Sequence, residues 1–307
     1  MIPWLVFLFD FIENEVPMKS FPFPYKVSLF VLVIAFFFHF NPGLWIGNFL
    51  SSEVWAAGKI SVSKKDKSPV RIAIYIGDCA YFRSIKAATK MFEWMGADAQ
   101  RITPEEIIAG KLDGFDILYM TGGWAVPYIR DLRNGGNAKI REFVERGGGY
   151  IGVCAGALFA ADYIYWEGKR YEYPLDLFAG FAKGPIVEIA PWPRFKLCRI
   201  NLSKTPHPIT KGEPASLESL YYGGPWFEVP PGFKADVLAY YDFNNRPVML
   251  AFESGQGRVF LTGLHTEFEE GDDRDDVRWD NDMHDPESEW PLMFNVVRWL
   301  IRHESSP

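Results

Sequence analysis

A Gly-x-Cys-x-Gly turn at the junction of an apolar strand and a helix constrains this chain more than any other feature. Gly147-Gly148-Gly149 stops a helix predicted over Asn137–Arg146, and Tyr150–Val153 follows as a short buried strand. Gly152-Val153-Cys154-Ala155-Gly156 then runs straight into a helix of small residues, Ala155–Ala161. A side chain carried on so sharp a turn tolerates only small neighbours, which accounts for the flanking glycines. Its sulfur projects at the carboxyl edge of a sheet, facing a helix N-terminus, where negative charge is favoured. A buried structural cysteine is the alternative reading; the strand–elbow–helix context favours a nucleophile.

The flanking segments supply the rest of an α/β domain. Val70–Ile76 (VRIAIYI) reads as a buried parallel strand, and Phe82–Trp94 carries Ile85, Ala88, Met91 and Phe92 at helical spacing. Strands are predicted at Asp98–Ile102 and Phe115–Met120, the latter ending in Thr121-Gly122-Gly123. The stretch from about Tyr171 to Tyr241 is rich in Pro, Gly and aromatics and reads as strands and loops. Val248–Glu253 and Arg258–Leu264 form two strands around Ser254-Gly255-Gln256-Gly257, and Pro291–Ile301 closes the chain as a helix. Strands alternating with helices imply βαβ units, a parallel sheet and right-handed crossovers.

Residues 1–57 differ from all that follows. Lys19 and Lys26 precede the apolar run Val27–Phe40, and small residues at Ala56-Ala57-Gly58 complete the order of a secretory signal. Met18 opens a conventional n-region and is an alternative start. The apolar run is short for a spanning helix, although the length from Val27 to Leu50 keeps a membrane anchor as a second reading. The expected organisation is a signal peptide or anchor over 1–57, a polar linker over 58–69 and an α/β domain over 70–307. Export, to a periplasmic or extracellular location, follows from this order, with membrane attachment as the variant. Oligomeric state is not readable.

Composition excludes several functions. The net charge of −7 and the lack of a basic stripe argue against a nucleic-acid partner. Three cysteines without a C-x-x-C give neither a disulfide framework nor a zinc knuckle; a Cys79–Cys198 bridge is compatible with export but not expected. The acidic run Gly271–Asp285, with His284, has no regular ligand spacing and reads as a solvated loop. Neither a metal nor an organic cofactor is expected.

A nucleophilic thiol needs a base, and the base an orienting group. Among five histidines, His265 alone lies at the carboxyl end of a predicted strand, in Leu261-Thr262-Gly263-Leu264-His265-Thr266-Glu267. Catalytic groups of open α/β sheets gather at that edge. Glu267 can reach back to the imidazole. A capping or loop role is the competing reading for His265. Gly122 and Gly123 either supply backbone N–H groups to an oxyanion or form a plain glycine turn, and the sequence does not choose between these.

Taken together, Gly-Val-Cys-Ala-Gly, the upstream Thr-Gly-Gly and the His-x-Glu after a Gly-x-Val-x-Leu-Thr-Gly strand resemble the class I glutamine amidotransferase-like superfamily. Within it the chain is most similar to the N-terminal domain of eukaryotic-type biotin–protein ligases. Tyr221-Tyr222-Gly223-Gly224-Pro225 fits that branch. So does the loop His207-Pro208-Ile209-Thr210-Lys211-Gly212, which also resembles the trehalose-utilisation branch. The likeness spans about 70 to 301. It implies a flavodoxin-like parallel sheet with helices on both faces, and a triad of Cys154 as nucleophile, His265 as base and Glu267 as orienter. Gly122 or Gly123 would then lie near the oxyanion.

One departure bears on substrate. Glutamine-hydrolysing members usually carry a polar residue just after the elbow glycine, whereas Ala157-Leu158-Phe159 follows here. Neither a synthetase nor a ligase domain is expected after the α/β domain. The expected activity is that of a hydrolase or transferase acting on an amide or ester, with a small-molecule or peptide-like substrate. The alternative is a ligand-binding module that kept the fold without turnover. Trp124, Tyr222 and Trp226 are expected to line the cleft and suit a ligand larger and flatter than glutamine.

Overall fold

The computed structural model describes residues 68–278, 283, 285 and 287–301. The expected signal peptide or anchor and nearly all of the linker lie outside them, as does His284. Among the described residues no helix is long and apolar enough to cross a membrane.

Strands β1 (Arg71–Tyr75), β2 (Asp98–Ile102), β3 (Ile117–Met120) and β4 (Gly149–Val153) alternate with helices α1 (Phe82–Trp94), α2 (Pro104–Ile108) and α3 (Ala125–Glu145). Helix α4 (Ala155–Ala160) leaves β4 at once. Strands β5 (Ala161–Trp166), β6 (Lys169–Glu172), β7 (Phe178–Gly184), β8 (Lys196–Leu202), β9 (Ser216–Tyr221), β10 (Trp226–Glu228) and β11 (Asp236–Tyr241) come next. The hairpin β12 (Pro247–Ser254) and β13 (Gly257–Thr262) leads to helix α5 (Trp290–Leu300).

Nine strands form one sheet in the order β2-β1-β3-β4-β13-β12-β11-β8-β9. From β2 to β13 all pairings are parallel; from β13 to β9 all are antiparallel. The flavodoxin-like core is therefore present and is extended by an antiparallel half built from the Pro- and aromatic-rich middle of the chain. A second sheet, β10-β7-β5-β6, stands apart from it.

Alternation along β1 shows how the sheet buries both faces. Ile72 and Ile74 pack with Ile85, Ala88, Met91 and Phe92 of α1 and with Leu292, Met293 and Val296 of α5. Ala73 and Tyr75 pack on the other face with Tyr128, Leu132 and Ile140 of α3 and Ala157 and Phe159 of α4. Helices thus cover both faces, as a parallel sheet requires.

The sequence places a helix only over Asn137–Arg146, whereas α3 begins at Ala125. Its first part is set off by a backbone break at Arg133 (φ 51°), just before Asn134-Gly135-Gly136, and those residues hide the continuity from a periodicity argument. Helix α2 carries a local signal of its own: Thr103 and Glu106 form a reciprocal capping box around Pro104.

Register sets the site. Val153 lies opposite Thr262, and Gly152 lies opposite both Leu261 and Met120. Strands β3, β4 and β13 therefore end level with one another. Thr121-Gly122-Gly123, Cys154 and His265 all emerge at the same carboxyl edge.

Candidate active site

Cys154 has φ 49° and ψ −104°, a conformation that L-residues rarely adopt. It is held there from both sides. Its N–H donates to the Thr262 carbonyl at 3.0 Å, and Gly156 N–H donates to the Thr121 carbonyl at 3.2 Å. The elbow glycines permit this closeness: a Cβ at Gly156 would lie 2.1 Å from the Met120 carbonyl oxygen, and one at Gly152 would lie 2.8 Å from that of Gly156. Cys154 is 5% exposed, with Sγ 3.5 Å from the Tyr222 carbonyl oxygen.

His265 and Glu267 come together as the sequence suggests, with His265 Nδ1 2.9 Å from Glu267 Oε1 and both side chains buried. The loop that carries them is pinned by His265 N–H to the Leu220 carbonyl (2.9 Å) and by Trp290 Nε1–H to the Glu267 carbonyl (3.0 Å). Burial alone would lower the pKa of His265; the Glu267 carboxylate and the neighbouring Cys154 outweigh it and push the value up to about 10. Nε2 of His265 has no hydrogen-bond partner among the described residues.

Ser84, on the buried face of α1, is a member of this site that the motif does not reveal. Its hydroxyl donates to Glu267 Oε1 and accepts from Gly122 N–H at 3.3 Å. One hydroxyl thus links the carboxylate to the glycine loop. The sequence does hold a signal: Ser84 lies four and seven residues before Ala88 and Met91, a polar residue on an apolar stripe.

The same bond separates the two glycines proposed for the oxyanion. Gly122 N–H is engaged by Ser84, and a Cβ there would strike the His265 ring at 2.3 Å. Gly123 bridges Ala80 through bonds made by its neighbours: Tyr81 N–H to the Gly122 carbonyl and Trp124 N–H to the Cys79 carbonyl. In such a non-hydrogen-bonded pair the central N–H groups point away from the partner strand. Gly123 lines the cleft above Cys154. Ala155, as the first residue of α4, presents one of the N–H groups that a helix leaves without an internal partner.

Above the thiol lies an aromatic cleft. Trp124, Trp166 and Trp192 contact one another edge to face at 5.8–6.1 Å between ring centroids, and Trp192 stacks on Tyr222 at 5.1 Å. Tyr171 and Tyr173 add to the wall, and among the described residues no charged side chain lines it. The expectation for Trp226 is corrected: its indole lies in the core against Phe181, with the Arg246 guanidinium 3.8 Å from its ring centroid, because β10 pairs with β7. Trp166 and Trp192 take its place, brought in from β5 and from the segment before β8. All three cysteines are free thiols.

The Tyr222 segment approaches the elbow through two more glycines. A Cβ on Gly224 would lie 1.8 Å from the Gly263 carbonyl oxygen, and one on Gly263 would lie 2.0 Å from that of Pro225. Backbone meets backbone there, and this contact carries the Tyr222 carbonyl to the thiol.

A parallel sheet carrying a strained cysteine elbow beside a His–Glu pair defines an α/β protein with a nucleophile-type site. The family model described as "Biotin-protein ligase, N terminal" matches residues 73–289, and the chain belongs to that family. It is similar to the biotin–protein ligase of Schizosaccharomyces pombe, 30% identical over 168 residues, covering 50% of this chain and 25% of that protein. An uncharacterized protein of Chlamydia muridarum is 30% identical over 161 residues, covering 50% of this chain and 60% of that one. The chain thus spans a quarter of the one relative and under two thirds of the other. Among solved structures, a putative ThuA-like protein from Bacteroides uniformis matches with a TM-score of 0.50 at 18% identity. That match covers 76% of this chain and 92% of that one, a likeness of fold.

Proposed function

We propose that the protein is a cysteine-nucleophile hydrolase or acyltransferase acting on a neutral amide or ester whose acyl part is apolar and flat. The observation that carries this reading is the buried His265–Glu267 hydrogen bond beside a strained Cys154, at the base of an uncharged aromatic cleft. In the reaction, the Cys154 sulfur bonds to the carbonyl carbon as a thiolate whose proton is held on His265, the protonation state that the raised imidazole pKa favours. That proton passes to the leaving amine or alkoxide as the thioester forms. Water or a second acceptor, deprotonated by His265, then releases the acyl group. Gly123 and Ala155 N–H groups serve the developing oxyanion. Glu267 orients the imidazole, and Ser84 orients Glu267.

Glutamine is a poor fit. Its ammonium and carboxylate would enter a wall without charged or side-chain amide groups, and each buried polar group left unpaired costs about 1–3 kcal/mol. Purified protein assayed with aryl esters and anilides is expected to turn over, with ammonia release from millimolar glutamine near background. Loss of turnover in Cys154→Ala ties it to the thiol; glutaminase activity that vanishes in the same variant overturns the substrate assignment.

A second reading, a binding module without turnover, is favoured by one observation: the thiol lies against the Tyr222 carbonyl while His265 Nε2 has no hydrogen-bond partner among the described residues. Iodoacetamide separates the two. A working nucleophile is labelled at Cys154 ahead of Cys198, whose thiol burial pushes up to about 12. Export through residues 1–57 belongs to the same proposal, and protein taken from its native host should begin near residue 57 or 58.

A further inference from the structure

The acidic run after β13 has no ligand pattern in sequence, yet the fold joins its two ends. Glu270 closes the loop that bears His265 and Glu267; Asp285 and Glu289 lead into α5. All three side chains are buried, at 5%, 8% and 0% exposure. One carboxylate oxygen from each lies within 4.8 Å of the other two. Glu289 is the decisive member. It is fully buried, its side chain reaches into the cluster, and neither of its oxygens has a hydrogen-bond partner among the described residues. The neighbouring guanidinium does not serve it: Arg274 pairs with Glu269 and Asp272.

Burying a carboxylate away from water is costly unless it is paired or coordinates a metal. Here Glu289, without a hydrogen-bond partner among the described residues, converges with the carboxylates of Glu270 and Asp285. We infer that Glu270, Asp285 and Glu289 bind one divalent cation of the hard, oxygen-seeking class, with Ca2+ the best fit. Flexible, carboxylate-rich coordination suits Ca2+, and oxygens on one Ca2+ can stand up to about 5 Å apart, twice a bond of 2.3–2.6 Å, which accommodates this cluster. A set made only of carboxylate oxygens also disfavours the softer transition metals.

The ion would have a structural role. Glu270 lies three residues past Glu267, and Glu289 is the N-cap of α5, whose Trp290 already bonds the Glu267 carbonyl. Coordination would add a second tie between the loop of the His–Glu pair and α5, which packs beside α1 on one face of the sheet. No step of the thiol chemistry passes through it, and the proposal stands whether or not the protein turns over acyl substrates.

The test uses the full chain stripped with EDTA and then titrated with CaCl2, MgCl2 or TbCl3. Near saturation, Ca2+ is expected to raise Tm by about 5 °C or more, with one ion per chain by calorimetry. Tb3+ luminescence excited through tryptophan should appear and be competed away by Ca2+. Glu289→Gln should keep or raise the metal-free Tm and lose at least tenfold in Ca2+ affinity; Asp285→Asn serves as the second variant should the first not fold. Absence of any Tm shift and of Tb3+ luminescence at millimolar ion overturns the site. So does a shift undiminished in both variants, which would place the ion elsewhere.

Discussion

Glu267 and Glu289 are both completely shielded from water, on segments that meet at the N-terminus of α5, and their surroundings are opposite. Glu267 gathers the Ser84 hydroxyl and the His265 ring on one oxygen. Glu289 faces other carboxylates and has no hydrogen bond among the described residues. A buried acid is stabilising only through what it touches, so the same residue type should behave oppositely at the two positions.

Glu267→Ala tests the contrast most severely. Removing one partner of a buried pair leaves His265 uncompensated, and the expected loss is about 3–5 kcal/mol of stability in urea titration. If the proposed chemistry holds, turnover falls by orders of magnitude as well. A loss below 1 kcal/mol would mean that the pair contributes little.

Ser84→Ala comes next. It deletes a hydrogen bond to a charged group, worth about 1.5–3 kcal/mol, and frees Gly122 N–H. Restoration by Ser84→Thr would assign the effect to the hydroxyl.

The third expectation concerns pH. His265 has its pKa raised in the folded state by Glu267 and Cys154, so it contributes stability in full below its ordinary value near 6.5. That contribution declines as pH rises and is gone above about 10. One proton limits the slope to about 1.4 kcal/mol per pH unit. Urea midpoints between pH 6 and 10 should therefore fall more steeply for the parent than for Glu267→Gln.

Glu289→Gln should have the smallest effect and the opposite sign. Without metal ions the amide removes repulsion and sacrifices no hydrogen bond, so stability should rise by about 1 kcal/mol. A loss as large as that of Glu267→Ala would erase the distinction between the two sites.

Much of this was legible in the sequence where the signal is local. The elbow, the glycine stop before β4 and the His-x-Glu after β13 are short-range patterns, and they place Cys154, His265 and Glu267 at one sheet edge. Strand β1 and the β12–β13 hairpin fall where apolar runs and a Gly-rich turn put them. The antiparallel half was less readable, because Pro- and aromatic-rich segments carry no clear period. Trp226 shows the same limit. Adjacency to Tyr222 suggested the cleft, but pairing of β10 with β7 turned it inward, and Trp192 arrived from a segment thirty residues earlier. Ser84 and the Glu270–Asp285–Glu289 cluster depend on contacts between distant segments, which spacing along the chain does not encode.

The contact between Gly224 and Gly263 divides the site into a part that can be redesigned and a part that cannot. Neither position has room for a methyl group, so the route of the chain past the thiol is fixed by backbone alone. A library seeking new substrates would waste its members there. Its productive positions are 124, 166 and 192, where indole rings pack on one another and line the ligand space, and where smaller side chains would deepen the cleft.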